Sequence, residues 1–120
     1  MKIAIPVCDL NIEADIDTRF GRAKQFLIYD NEENTHSFIE NSQDLNATKG
    51  AGLQTATNVI EAKANCIIAL HCGPKAFQLL AAYDVDVYIV DKMTAQSALA
   101  QLEEGNLERR DSSDVEGHWV

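Results

Sequence analysis

Long apolar runs are missing from this chain, and so is any excess of positive charge. No stretch approaches the roughly 20 consecutive apolar residues that a membrane-crossing helix needs, and Met1-Lys2-Ile3 leads into a short strand instead of a signal-peptide core. A cytoplasmic protein with no membrane partner is the expectation. Ten Lys and Arg stand against nineteen Asp and Glu, a formal net charge of -9. That balance argues against a nucleic-acid partner, because affinity for a phosphate backbone rests on clustered cations. Cysteine is scarce and odd in number: Cys8, Cys66 and Cys72 lack the paired spacing of a disulfide framework or a zinc knuckle. Low-complexity blocks, internal repeats, a P-loop and a Ser-His-Asp order are absent too. Gly50-x-Gly52 is too short for a dinucleotide fingerprint and follows no strand.

What remains is 120 residues, 46% of them hydrophobic, enough for one domain with one sizeable core. Lys2 to Cys8 reads as a buried strand, with Ile3, Ile5 and Val7 alternating on one face and Ala4 on the other. Pro6 cannot donate to a ladder and marks a strand end or a locally unpaired position. A polar loop follows, leading into Arg19-Phe20-Gly21-Arg22. Gln25–Asp30 and Thr35–Glu40 flank the turn-forming Asn31-Glu32-Glu33-Asn34 and predict a hairpin. After a polar stretch from Asn41 to Lys49, Gly50-Ala51-Gly52 opens a helix with Leu53, Ala56, Val59, Ile60 and Lys63 at helical spacing.

Strand and helix then alternate: Cys66–Leu70, Pro74–Ala82, Val85–Val90, and Thr94 to about Glu104, the pattern of parallel strands with helical crossovers. In the last helix Ala95, Ala98, Leu99 and Leu102 share one face while Gln96, Gln101, Glu103 and Glu104 face out. Thr94 is the N-cap and Gly105 the stop. Short connections and right-handed crossovers predict a mixed five-stranded sheet, order 3-2-1-4-5 with strand 2 antiparallel, flanked by three helices. The domain is placed at residues 1–107. Residues 108–120 read as a charged, partly disordered tail, in which only Gly117-His118-Trp119-Val120 stands out, since a terminal Trp is costly to leave in water.

Ligands of open α/β sheets bind outside the carboxyl ends of the strands. In the predicted order strands 1 and 4 are parallel neighbours, which brings Cys8 near His71 and Cys72. Thiolates and imidazole suit soft or borderline metals and iron-sulfur clusters. Helix starts at Gly50-Ala51-Gly52 and Gly73-Pro74, with the guanidinia of Arg19 and Arg22, suit oxyanions or an anionic cluster. The plainer alternatives are core thiols for Cys8 and Cys66, a loop hydrogen bond for His71, and exposed pairs of Arg19 and Arg22 with Asp15 or Asp17. His36 reads as a surface residue. The strand order matches the ribonuclease-H-like architecture, whose nucleases hold two magnesium ions on carboxylates along the first strand. Ile3 to Val7 has no carboxylate, and the fourth strand ends in His71-Cys72, so catalysis has little support.

Met1-Lys2-Ile3-Ala4-Ile5-Pro6-Val7, Arg19 through Asp30, Gly50-Ala51-Gly52 and Cys72-Gly73-Pro74-Lys75-Ala76-Phe77 together resemble the dinitrogenase iron-molybdenum cofactor biosynthesis domain family. The resemblance spans roughly residues 1–107. It implies a ribonuclease-H-like fold without nuclease acids, serving as a non-enzymatic carrier for an iron-sulfur or molybdenum-containing cluster, with cofactor-assembly or acceptor proteins as partners. By position, the family's loop, often His-Phe-Gly-Arg, falls on Arg19-Phe20-Gly21-Arg22, and its Gly-Pro helix start falls on Gly73-Pro74. Arg19 stands where a His is frequent, so it would hold a cluster by charge. The implied cofactor-binding set is Arg19, Phe20, Gly21, Arg22, Gly50, Gly52, Gly73 and Pro74, with Cys8, His71 and Cys72 as metal ligands. A metal-free module of the same fold that senses a small anion or a protein partner is the alternative.

Overall fold

Both faces of β1 (Lys2–Val7) are apolar, and every residue from Ile3 to Val7 is buried, which is why this strand takes the centre of the sheet. In the computed structural model, which describes residues 1–43 and 50–112, β2 (Gln25–Asp30) runs antiparallel along one side of β1, from Lys2↔Asp30 to Val7↔Gln25. β3 (Thr35–Glu40) is antiparallel to β2. On the other side β4 (Cys66–Ala69) is parallel to β1, and β5 (Asp86–Ile89) is parallel to β4. The order β3-β2-β1-β4-β5 is the predicted one and is compatible with the ribonuclease-H-like architecture. The Gly117 to Val120 stretch lies outside the described residues, as do residues 44–49 of the polar segment.

Three helices cover the sheet. α1 (Ala51–Glu61) and α2 (Pro74–Ala82) lie over one face, where Ala56, Val59 and Leu80 meet Ala4, Phe26 and Ile67. α3 (Ala95–Glu103) covers the other, where Ala95 and Ala98 meet Ile3, Ile5 and Ile68. Removal of each of the larger side chains from water contributes about 1.5–3 kcal/mol, and the alternation along β1 feeds both layers. α1 is two residues shorter than the apolar spacing predicts: it stops at Glu61, and Lys63 turns the chain at φ 64°.

Two local features shape the carboxyl edge. The β1–β4 register covers Ile3↔Cys66 and Ala4↔Ile67. Beyond it residues 15–17 take over that side of β1, with Val7 bridged to Ile16 and the Asp17 N–H donating to the Pro6 carbonyl at 2.8 Å. Because N–H and C=O of a strand residue face the same side, the missing donor of Pro6 faces this segment and leaves the β1–β2 ladder intact.

The second feature follows α3. Gly105, at φ 77°, ends the helix with its N–H on the Leu102 carbonyl and the Asn106 N–H on that of Gln101, a Schellman arrangement that favours glycine. The chain then returns along β5, with Arg109 bridged to Tyr88 and the Arg110 N–H 2.8 Å from the Val87 carbonyl. Ordered pairing therefore continues past residue 107, where the sequence reading placed the end of the domain. Charge composition alone concealed this because it is the backbone of Arg109 and Arg110 that pairs with β5, while their side chains remain exposed.

Candidate functional site

The loop from Cys8 to Thr18 is fixed by backbone hydrogen bonds rather than by a core of its own. Asp15 accepts from the Cys8 N–H at 3.0 Å, and the Ile16 N–H donates to Met93 at 3.0 Å. The first amides of α3 donate into the same loop, Ala95 to Ala14 and Gln96 to Ile12, both at 2.9 Å, while the Thr94 hydroxyl accepts from Ser97 at 3.1 Å. The α3 start is therefore fully engaged, and Thr94 is its N-cap as predicted. The loop forms a rib between the end of β1 and the β5–α3 connection.

A depression lies on either side of this rib, outside the carboxyl ends of the parallel strands, where open α/β sheets hold ligands. The smaller, about 440 Å³, is lined by Cys8, Asp15, Asp17, Arg19, Lys24 and Gln25, among others. The larger, about 840 Å³, is lined by Leu70, His71, Val90 and Met93 and by Gln101, Leu107 and Arg110, among others. Thr18 and Lys92 line both. Four of the chain's ten Lys and Arg (Arg19, Lys24, Lys92 and Arg110) are thus gathered at one edge of a protein of net charge -9. Three carboxylates, Asp15, Asp17 and Asp91, accompany them. Gln101, expected to face solvent, is half-buried and lines the larger groove.

The Arg19 to Arg22 loop divides into exposed and buried parts. Phe20 is buried edge-on against Phe26, with ring centroids 5.6 Å apart. A Cβ on Gly21 would stand 3.0 Å from the Gly52 nitrogen and 3.1 Å from its Cα, so the loop lies directly on the start of α1. The Arg19 guanidinium pairs with Asp17 at 3.3 Å, and its backbone N–H donates to the same carboxylate at 2.9 Å. That pair was expected to be fully exposed. Asp17 is buried, so the carboxylate anchors the loop while the Arg19 side chain stays largely in water. Arg22 is exposed and, among the described residues, forms no ion pair and lines neither depression.

Sequence reasoning missed the group that holds this loop in place. Thr55, buried on α1, donates its hydroxyl to the Gly21 carbonyl at 2.8 Å and accepts from Asn41 Nδ2 at 2.9 Å and Gln43 Nε2 at 3.0 Å. Asn41 Nδ2 also donates to the Ala23 carbonyl at 2.8 Å, and its Oδ1 accepts from Asn58 at 2.8 Å. The only available signal was a Thr on the apolar face of a helix, which binary patterning reads as a tolerated small residue.

The helix starts at Gly50 and Gly73-Pro74 have the expected form. Both glycines are N-caps without a side-chain hydrogen bond, and Pro74 occupies the first turn. Gly50, Gly52, Gly73 and Pro74 are not among the residues lining the two depressions, and Gly52 faces Ala76, whose Cβ would be 3.7 Å from an added one.

The three expected metal ligands are not brought together. Cys72 is 1% exposed, within the core cluster that also holds Phe20 and Ala76. His71, one residue earlier, is exposed in the larger groove, and Cys8 is exposed in the smaller. Among the described residues no three His, Cys, Asp or Glu side chains converge as a site for a single metal ion. Cys66 is a core thiol at the opposite end of its strand, pushed up to about 12 chiefly by burial. His36 is exposed on β3 as expected.

Desolvation and the carboxylates of Asp17 and Asp15 raise the Cys8 thiol above its usual range, against Arg19 and Lys92, which lower it. Cys8 is therefore mostly protonated at neutral pH, and its nucleophilicity grows as pH rises through the thiol range. In the native protein, iodoacetamide should label Cys8 alone, more slowly at pH 8 than it labels a free cysteine. Asp15→Asn should speed the labelling about two- to threefold by removing a nearby negative charge. Peptide mass analysis checks both the site and the rate.

The family model for dinitrogenase iron-molybdenum cofactor matches residues 1–105. An uncharacterized protein of Methanocaldococcus jannaschii is 30% identical over 112 residues, covering 91% of each chain. Among solved structures, a Thermotoga protein provisionally assigned as a NifB protein is 30% identical with a TM-score of 0.76, over 90% of this chain and 91% of its own. The apo form of the orange protein from Desulfovibrio gigas superposes with a TM-score of 0.88 over 95% of this chain and 96% of its own. At 24% identity, it bears on the fold alone.

Proposed function

Because the chain belongs to the dinitrogenase iron-molybdenum cofactor family, we propose that it is a non-enzymatic carrier whose cargo is a preformed, anionic iron-sulfur or molybdenum-containing cluster. The observation that carries this reading is the convergence of three cations, Arg19, Lys24 and Lys92, on the depression at the carboxyl edge of an acidic chain that also holds its one exposed thiol. A cluster is already assembled and negatively charged, so it needs charge, donors and a few soft contacts rather than a complete ligand sphere. The donor set fits that requirement better than it fits a bare ion.

In this reading Arg19, Lys24 and Lys92 hold the cargo by charge-assisted hydrogen bonds, and Cys8 supplies a thiolate contact from the same depression. Cys72 is buried in the core cluster that also holds Phe20, and its part is structural. Phe20 and Gly21 keep Arg19 in place, and the open mouth of the edge leaves the cargo accessible to assembly or acceptor proteins.

The test is anaerobic incubation of the metal-free protein with ferrous iron, sulfide and molybdate, then desalting and analysis of metal and acid-labile sulfide. The expected result is metal and sulfide retained well above an acidic control protein, with affinity lowered about a hundredfold in Arg19→Gln/Lys24→Gln, since hydrogen bonds to charged groups are worth about tenfold each. Retention no greater than that of the control would overturn the reading.

A further inference from the structure

The larger groove has a different chemistry from the depression beside Cys8. Its floor is apolar: Leu70 and Val90 are buried at the strand ends, and Ile89, Met93 and Leu107 are half-buried around them. Met93 adds a thioether that adapts to the shape of whatever packs on it. Charge is confined to the rim, where Lys92 and Arg110 are exposed, with Asp91 the one carboxylate among the lining residues. Neither cation forms an ion pair among the described residues, whereas the adjacent Arg109 pairs with Asp86 at 3.7 Å and Asp111 at 3.9 Å. Thr18 and Gln101 add neutral hydrogen-bonding groups.

The wall that carries Arg110 is a built element. The Gly105 turn reverses the chain, Leu107 packs with the α3-side core, and the Arg109–Tyr88 bridge with the Arg110 N–H bond to Val87 sets the stem of the guanidinium on the β5 edge. The groove's 840 Å³ lies within the range of small-molecule sites. An inorganic cluster has no use for a floor of aliphatic side chains, but an organic molecule with one charged end does.

We infer that this groove is a second site, separate from the cluster cargo, for a small organic anion. Its apolar or planar body lies on Leu70, Ile89, Val90, Met93 and Leu107, and its phosphate or carboxylate lies between Lys92 and Arg110. The inference stands on this groove alone and does not depend on the carrier reading. Lys92 lines both depressions and Arg110 only the larger, so the two ideas are separable by variant.

The probes are adenosine 5′-monophosphate, benzoate, inorganic phosphate and adenosine, titrated into metal-free, isotopically labelled protein and followed by amide chemical shifts. Adenosine 5′-monophosphate or benzoate should give saturable shifts at Leu107 to Arg110 and Val90 to Met93, the tighter of the two telling phosphate from carboxylate. Inorganic phosphate and adenosine should each bind at least about tenfold more weakly than the tighter probe, since each lacks one of the two contacts. Arg110→Gln should weaken binding about tenfold without changing metal retention, and Arg19→Gln/Lys24→Gln should leave it unchanged. Absence of saturable shifts at millimolar probe, shifts centred on Cys8 and Arg19, or an unaltered Arg110→Gln variant would each overturn the inference.

Discussion

Asn41→Ala should be among the most destabilising single substitutions in this domain, at about 3 kcal/mol. Truncation strips a buried donor from both the Ala23 carbonyl and the Thr55 hydroxyl, and a buried acceptor from Asn58, which lie 2.8, 2.9 and 2.8 Å away. Leaving a buried group unpaired costs roughly 1–3 kcal/mol, and water can reach the Asn58 side but not all of the cluster. For a domain of this size the loss corresponds to a fall in Tm on the order of 10 °C. Urea unfolding followed by far-ultraviolet circular dichroism measures it. Asn41→Ala combined with Thr55→Val should cost less than the sum of the two, because they share a hydrogen bond. An unfolding midpoint within error of the parent protein would show that the cluster contributes no net stability.

Gly21→Ala should cost about 2–3 kcal/mol, and for a different reason. Nothing polar is lost, but the new methyl meets the backbone of α1, with Gly52 N at 3.0 Å, Gly52 Cα at 3.1 Å and Ala51 C at 3.3 Å. Backbone cannot rotate aside as a side chain can, so either the loop or the first turn of α1 must shift, and overpacking of this kind costs roughly 1–3 kcal/mol. Gly52→Ala is the matched control. Its Cβ would make an ordinary 3.7 Å contact with Ala76, and alanine is the better helix former, so its stability should equal or slightly exceed the parent's. If Gly21→Ala were equally harmless, the close approach would not constrain this loop.

The strand order was legible in the sequence because period-two and period-3.6 patterns alternate cleanly after residue 65, and the crossover rule leaves few arrangements for them. The helix ends at Thr94 and Gly105 were legible because capping chemistry is local. The carboxyl edge was correctly identified as the place where Cys8 and His71 lie, since strand order fixes which ends are neighbours. Side-chain direction was not legible. Cys72 and His71 are adjacent in the chain, yet one is buried and the other exposed, a difference set by the turn into α2. Lys92 and Arg110 escaped notice and Gln101 was read as facing solvent; the place of Arg110 arises from a chain reversal at Gly105 and from backbone pairing, neither of which leaves a motif. Asn41 and Thr55 were hidden by distance along the chain: the Thr55 hydroxyl bonds to a carbonyl 34 residues away.

The gathering of cations on one edge of an acidic chain also bears on the rate at which an anion arrives. At low ionic strength, where the Debye length grows to about 30 Å at 0.01 M, an approaching anion responds to the whole molecule, whose formal charge is -9, and is repelled. Only near the edge do Arg19, Lys24, Lys92 and Arg110 dominate. Added salt therefore has two opposed effects, speeding the encounter by screening the distant repulsion and loosening the bound state by screening the contacts. For a basic protein both effects would slow or weaken capture, so the salt dependence of the association rate, taken apart from that of the affinity, distinguishes local attraction from a global field.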